Sequence, residues 1–286
     1  MLEFVIDQRR RSIGAFEVGR VLPAIRQRMV GPFVFFDHMG PVDLPAGLPR
    51  TADVRPHPHI GLSTVTYLFE GELMHRDSVG SEQPVVAEEV NWMIAGRGIT
   101  HSERFEKARA EGGALHGIQA WVALPNEHEE TDPAFAHYDA AALPVNEDGG
   151  VRTRLLAGKA FGLQASVKTH SPMFYAHLEM TSGTKLALPD QYVERALYVT
   201  AGEVEVRGQT IGAGNMLVFD RGEDTTITAS ARTTLMALGG EPVGERFIEW
   251  NFVSSSRERI EQAKADWRAG RMKLPDFDNQ EFIPLG

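Results

Sequence analysis

Cysteine is absent from all 286 residues. Its absence excludes disulfides, thiolate metal sites and cysteine nucleophiles, and it fits a cytoplasmic protein. Any metal must then be held by His, Asp or Glu, a donor set that suits Fe, Mn, Ni, Cu or Zn. Long apolar runs are missing too. Nothing approaches the ~20 residues of a membrane helix, so no membrane span is expected. The opening stretch "MLEFVIDQRRRSIG" has no apolar core of signal-peptide length, so export is not indicated. Positive charge is scarce: 29 Lys and Arg stand against 39 Asp and Glu, for a net charge of -10. Direct nucleic-acid binding needs clustered cations to neutralise phosphates, and it is not expected. The basic cluster Arg9, Arg10 and Arg11 reads as a solvated turn between two N-terminal strands.

What is present is β-rich. Short apolar or alternating runs are broken by Gly, Pro, Asn and Asp, at the spacing of an all-β barrel or sandwich. One set of runs extends to about residue 125, and a second begins near Val151. The acidic stretch Asn126–Gly150 between them carries Pro133, Pro144 and a closing Gly pair, the composition of a connection. The expected division is a metal-binding domain at 1–130, a linker at 131–150 and a second domain at 151–286. "TYLFEGELMHRDSVG" in the first half echoes "LYVTAGEVEVRGQTIGAG" in the second, with Gly71 and Gly202 at equivalent turns, so one β domain is duplicated. A short C-terminal helix is expected from "SSSRERIEQAKADWRAG". Ser255 and Glu258 have capping-box spacing, Ile260, Ala263 and Trp267 share a face, and Gly270 stops it.

The chemistry lies in two short segments. In "RPHPHIG", His57 and His59 project to one side of a strand, because residues i and i+2 share a face. In "GITHSERF", His101 and Glu103 stand in the same relation. Two strands that each present two ligand-type side chains can enclose one cation and leave coordination positions open, as a reactive site requires. Pro56 and Pro58 remove backbone donors along one strand edge only, while His57 and His59 keep theirs on the other. The segment can therefore pair on one side, and its fixed φ angles stiffen the histidines. His75 and Asp77 share a face in "MHRDSVG" and are candidates for lining the site. Asp37 and His38 in "FFDHMGP", and His116 in "LHGIQAW", are candidates for orienting a ligand imidazole or lining the cavity. His128 and His137 read as surface residues of the linker.

These motifs resemble the pirin family of the cupin superfamily. The resemblance is carried by "GPFVFFDHMGP", "RPHPHIGLSTVTYLFEGELMHRDSVG", "MIAGRGITHSE" and "LHGIQAWVALP", which cover most of Gly31–Pro125. It implies a bicupin: two tandem jelly-roll β-barrels, with a metal in the first only. The implied ligands are His57, His59, His101 and Glu103. The common cupin pattern places a Glu near Thr64, which is no carboxylate; the pirin pattern takes Glu103 instead. In the second half, "LPDQYVERALY" has no histidine where a His-x-His would fall, so no second metal is expected there.

The resemblance also implies a function. The leading expectation is a dioxygenase with one divalent metal ion, Fe(II) first and Mn, Ni, Cu or Zn as alternatives. It would open the heterocyclic ring of a flavonol such as quercetin with O₂ and release CO, with Glu103 taking the substrate proton. The alternative is an iron-dependent redox-sensing regulator that contacts a transcription factor or a metabolic enzyme. A third reading is a metal cupin acting on another small enol or aromatic acid. The resemblance implies a monomer.

Overall fold

Alternating apolar runs such as Leu62–Glu70 and Glu194–Ala201 form strands, and the glycine after each turns the chain from a large sheet into a small one. Gly71 and Gly202 have φ of 95° and 78°, the left-handed region that glycine enters freely. A Cβ at either would press on a backbone carbonyl, that of Ala114 or Arg232. The structure is a computed structural model and describes residues 2–13, 16–219, 221–222 and 225–285, apart from the side chains of Leu2, Glu3 and Phe16.

The chain divides into two compact units. In the first, a four-stranded sheet runs in the order Val54–His59, Ile99–Arg104, Glu72–Asp77, Glu82–Val86. A seven-stranded sheet runs Ala134–Tyr138, Val90–Ile94, Leu62–Glu70, Gly113–Ala123, Phe33–Leu44, Phe16–Leu22, Arg9–Ile13. The second unit repeats both orders. Its small sheet runs Lys185–Leu186, Ile227–Ala229, Glu203–Val206, Gln209–Gly212. Its large sheet runs Leu2–Asp7, Asn215–Phe219, Glu194–Ala201, Thr233–Gly240, Met173–Met180, Val151–Ala160, Val145–Asp148. The expected all-β duplication is present strand for strand, each copy a jelly-roll barrel of a large and a small sheet.

The compact units interleave along the chain. One holds Arg10–Val18, Asp37–Asp139 and everything from Val243 onward; the other holds the chain up to Arg9, Gly19–Phe36 and Ala140–Pro242. Much of the acidic stretch is strand, since Ala134–Tyr138 pairs with Val90–Ile94 and Val145–Asp148 pairs with Val151–Ala160. The arginine cluster is also strand, within Arg9–Ile13, rather than a turn. The helix Arg257–Arg268 forms as expected, but Ile260, Ala263 and Trp267 pack with Ile60 and Phe252 of the first unit. An apolar stripe must be covered, and local sequence does not say by what. The helix cap is Ser256, whose Oγ accepts from Arg259 N at 3.2 Å; Ser255 instead donates to Glu129. Among the described residues, no helix is long and apolar enough to cross a membrane.

Candidate metal centre

Val54–His59 is an edge strand, paired only with Ile99–Arg104 in its sheet. The one-sided donor pattern of "PHPH" accounts for this: the free edge lacks the N–H groups of Pro56 and Pro58. Its carbonyls still accept, and Pro56 O receives the N–H of Ile283 at 2.8 Å. His101 lies opposite His57 and Ile99 opposite His59. The register then slips, leaving Glu103 opposite Val54, a bulge that bends the strand beside the site.

His57, His59 and His101 are buried, and one ring nitrogen of each lies within 4.8 Å of the other two. His59 Nε2 is 3.1 Å from His101 Nε2. Two tautomers follow from the partners. His57 Nδ1 is 2.9 Å from the carbonyl of Arg55, and His59 Nδ1 is 3.0 Å from that of Asn251. A carbonyl only accepts, so both Nδ1 atoms carry the proton and both Nε2 atoms keep a lone pair for a cation. Burial pushes His57 down to about 4 and His59 and His101 well below their ordinary value, with mutual repulsion adding to this for His59 and His101. The three rings are therefore neutral at physiological pH, as ligands must be.

The third strand completes the wall. Asp77 lies opposite His101, and His75 opposite Glu103. His75 Nε2 donates to Asp77 Oδ2 at 3.1 Å, and Asp77 Oδ1 accepts the N–H groups of Val79 and Ser81 at 3.0 and 2.9 Å. His75 Nδ1 is then left to face His101 Nδ1, 3.4 Å away. Asp77, His75 and His101 thus form a chain that ends at the triad, the kind of outer support that fixes a ligand ring. Burial pushes Asp77 up, but the hydrogen bonds from His75 and Ser81 outweigh it and its carboxyl lies below its ordinary value.

Glu103 stands slightly apart from the triad. Its Oε1 is 3.5 Å from His101 Nδ1, while its Oε2 is buried with no hydrogen-bond partner. Burial pushes its carboxyl up to about 8, with Arg104 pulling the other way. A buried carboxylate oxygen without a donor, beside three neutral imidazoles, fits a cation close by. The candidates on the large sheet sit differently. His38 Nε2 and His116 Nε2 are 2.7 Å apart and pair with each other, His116 lies against Phe69, and Asp37 is buried on the strand that carries His38.

Sequence reading passed over several neighbours. Trp121 meets His59 edge-on at 5.0 Å, and Phe135 stacks on His75 at 4.5 Å. Trp121 is part of the strand "LHGIQAWVALP", whose alternation places it on the face of Gln119, but nothing local links it to His59. The C-terminal segment was also unsuspected. Ser102 and Arg104, alternating with the ligand positions, donate to Asp278: Ser102 Oγ and Arg104 Nε at 2.6 Å, a second Arg104 nitrogen at 2.7 Å. On the inner side, Leu68, Leu73 and Phe105 belong to one buried apolar cluster. By alternation they continue the faces that carry Thr66, His75 and Glu103.

Comparison with known proteins identifies the family. Residues 15–122 match the family described as Pirin, and residues 175–273 match the Pirin C-terminal cupin domain. A pirin-like protein of Caulobacter vibrioides is 61% identical over 286 residues, covering 100% of this chain and 99% of its own. Pirin-1 of Arabidopsis thaliana is 30% identical over 254 residues, covering 85% of this chain and 84% of its own. The solved structure of a quercetin 2,3-dioxygenase from Acinetobacter baumannii superposes with a TM-score of 0.90 at 33% identity, covering 99% of this chain and 94% of that one. The matches extend over both barrels, including the histidine strands of the first, and the chain is a two-domain cupin of the pirin family.

Proposed function

We propose that this protein is a metal-dependent dioxygenase that opens the heterocyclic ring of a flavonol such as quercetin and releases CO. One observation carries the reading: a buried triad of imidazoles, with ring nitrogens converging, in a chain similar throughout its length to a quercetin 2,3-dioxygenase. His57, His59 and His101 would hold one divalent ion, with Glu103 as the fourth ligand; Fe(II) is the ion the family implies, and Mn, Ni, Cu and Zn suit the same donors. Bound there, the ion would supply Lewis acidity to the flavonol 3-hydroxyl oxygen, lowering its pKa and enriching the ring in electrons. Glu103 takes the hydroxyl proton at its unpartnered Oε2. Trp121 and Phe135 give a flat substrate aromatic walls, and the apolar cluster of Leu68, Leu73 and Phe105 keeps water from the inner end. His75 and Asp77 hold His101 in orientation. The substrates are a small aromatic and O₂, the protein acts as a monomer, and the cytoplasm is its place of action.

The test is anaerobic loading with Fe(II), followed by O₂ and quercetin. Loss of the flavonol absorbance with CO release is expected. Glu103→Gln should keep its metal and lose turnover by a factor of about 10²–10⁴, the range for general acid–base groups. Wild-type turnover in that variant would remove Glu103 from the proton transfer. No turnover in the wild type, with a partner protein captured in only one iron oxidation state, would favour the redox-sensing regulator.

A further inference from the structure

The large sheet of the first unit presents two rows of side chains on the face that meets the triad. Directly opposite residues of antiparallel neighbours point the same way. Trp121 pairs with Thr64, Thr64 with Met93, and Met93 with Phe135. Trp121 meets His59 and Phe135 meets His75, so this row faces the triad. Two residues along every strand, on the same face, runs a second row. Gln119 lies opposite Thr66, Thr66 opposite Asn91, and Asn91 opposite His137. The rows stand about 6.4–6.8 Å apart along the strands.

The second row is polar throughout, and it does not satisfy itself. Thr66 Oγ1 donates to Gln119 Oε1 at 2.8 Å, and Asn91 Oδ1 meets His137 Nδ1 at 2.6 Å. Asn91 is 3% exposed, yet among the described residues its Nδ2 has no hydrogen-bond partner. With Oδ1 fixed at His137, the bare nitrogen is held in place, and a buried donor without an acceptor is costly.

Closing a barrel does not require this polarity. In the second unit Tyr198 and Gly202 match Tyr67 and Gly71, which aligns Leu197 with Thr66. Leu197 lies opposite Ala237 and Leu217, and Leu217 opposite Val5, so the matching row is apolar. Leu197, Leu217 and Ala237 belong to that unit's buried core. The first unit holds carboxamides and a hydroxyl where the second packs hydrocarbon. It does so at one level only, because Leu68, next on the face after Thr66, is core again.

We propose that Asn91, with Gln119 beside it, determines substrate specificity: its Nδ2 donates to an oxygen substituent of the bound flavonol, remote from the oxygen held at the triad. The ligand lies along Trp121 and Phe135, and the second row reads its hydroxylated end. The inference rests on the flavonol reading above and names the substitution pattern that the site selects. A flavonol without ring hydroxyls leaves Nδ2 bare when bound, and a site built around a hydrogen bond discriminates against the analogue that lacks it.

The experiment is anaerobic equilibrium binding of quercetin and of unsubstituted 3-hydroxyflavone to full-length protein loaded with Fe(II). Without O₂ neither ligand is consumed. In Asn91→Leu, which removes the donor at similar volume, the ratio of quercetin to 3-hydroxyflavone affinity should fall about tenfold from its wild-type value. Retained 3-hydroxyflavone binding shows that the variant is folded. Gln119→Leu, at a half-buried position, should lower the same ratio and carries the test if Asn91→Leu does not fold. An unchanged ratio in folded Asn91→Leu, or in Gln119→Leu if that variant stands alone, would overturn the proposal. Admitting O₂ tests the reaction separately. A ratio that falls, with no turnover in wild type, would refute the dioxygenase and leave the subsite standing. Turnover with an unchanged ratio would do the reverse.

Discussion

The two barrels share their strand order in both sheets, yet one encloses a polar triad and the other an apolar core. The strand matching Val54–His59 is Lys185–Leu186, and the strand matching Ile99–Arg104 is Ile227–Ala229. That places the counterpart of the His-x-His just ahead of "LPDQYVERALY". Leu186 packs on a cluster that includes Ile227, Ala229, Leu197 and Val204. Where the first barrel spends buried surface on imidazoles that need partners, the second fills the same space with side chains that need none. A jelly roll thus stays closed with either filling. The filling decides whether the barrel could hold an ion, at the cost of the hydrophobic stabilisation that apolar side chains would contribute there.

The largest expected effect removes that difference from the polar side. In the His57→Ala, His59→Ala double variant the triad's metal should be lost entirely, measured as metal content of freshly purified protein; unchanged content at that site would refute the assignment. From the apolar side, Leu197→Ala opens a cavity in the second barrel, where Leu197 is fully buried. A loss of about 2–5 kcal/mol is expected in denaturant unfolding, with metal content unaltered. A subtler change is Asp77→Asn, which weakens the chain Asp77–His75–His101 without touching a ligand. Metal affinity should fall about 10–100-fold in chelator competition, and an unchanged affinity would reduce the dyad to a structural bond.

The smallest effect concerns the tail behind the ligand strand, for which the apolar strand Ile227–Ala229 offers no counterpart to Arg104. Burial pushes the Asp278 carboxyl up, but hydrogen bonds from Arg104 and Ser102 outweigh it, so its folded pKa lies below the ordinary value. Such a group stabilises the fold fully above its unfolded pKa of about 3.9. That contribution is lost as pH falls through the lower, folded value. The stability gap between wild type and Asp278→Asn should therefore be widest near neutrality and close below about pH 4. A gap independent of pH would mean that Asp278 acts only by packing.

Much of the triad was legible because it is written locally. Period-two spacing puts His57 beside His59 and His101 beside Glu103 on any strand, and the prolines mark the edge on which the first pair sits. Glu103 shows the limit of that argument: the bulge opposite it shifts the carboxylate relative to His101, and bulges leave no clear local signature. His137 was read as a surface residue of an acidic connection. Its strand in fact pairs with Val90–Ile94 and sets its Nδ1 2.6 Å from Asn91 Oδ1, which alternation within either segment does not reveal. The compact units interleave along the chain for a related reason. Composition marks where polar sequence lies, not which sheet an edge strand joins, and Leu2–Asp7 joins the sheet of the second unit.

Local spacing alone was thus enough for a duplicated β domain of barrel or sandwich type, a histidine pair on a one-sided strand, and a second pair of ligand-type residues some forty residues on; the two jelly rolls came from the family resemblance. It reached these because side-chain direction along a strand depends only on the backbone, whatever the strand's neighbours. Packing decided the rest: that Asn251, almost two hundred residues from His59, sets its tautomer; that Asp278 braces the strand carrying His101; and that Trp121 and Phe135 wall the site. These are contacts between segments distant in sequence, and they come into being only when the sheets close around a shared interior.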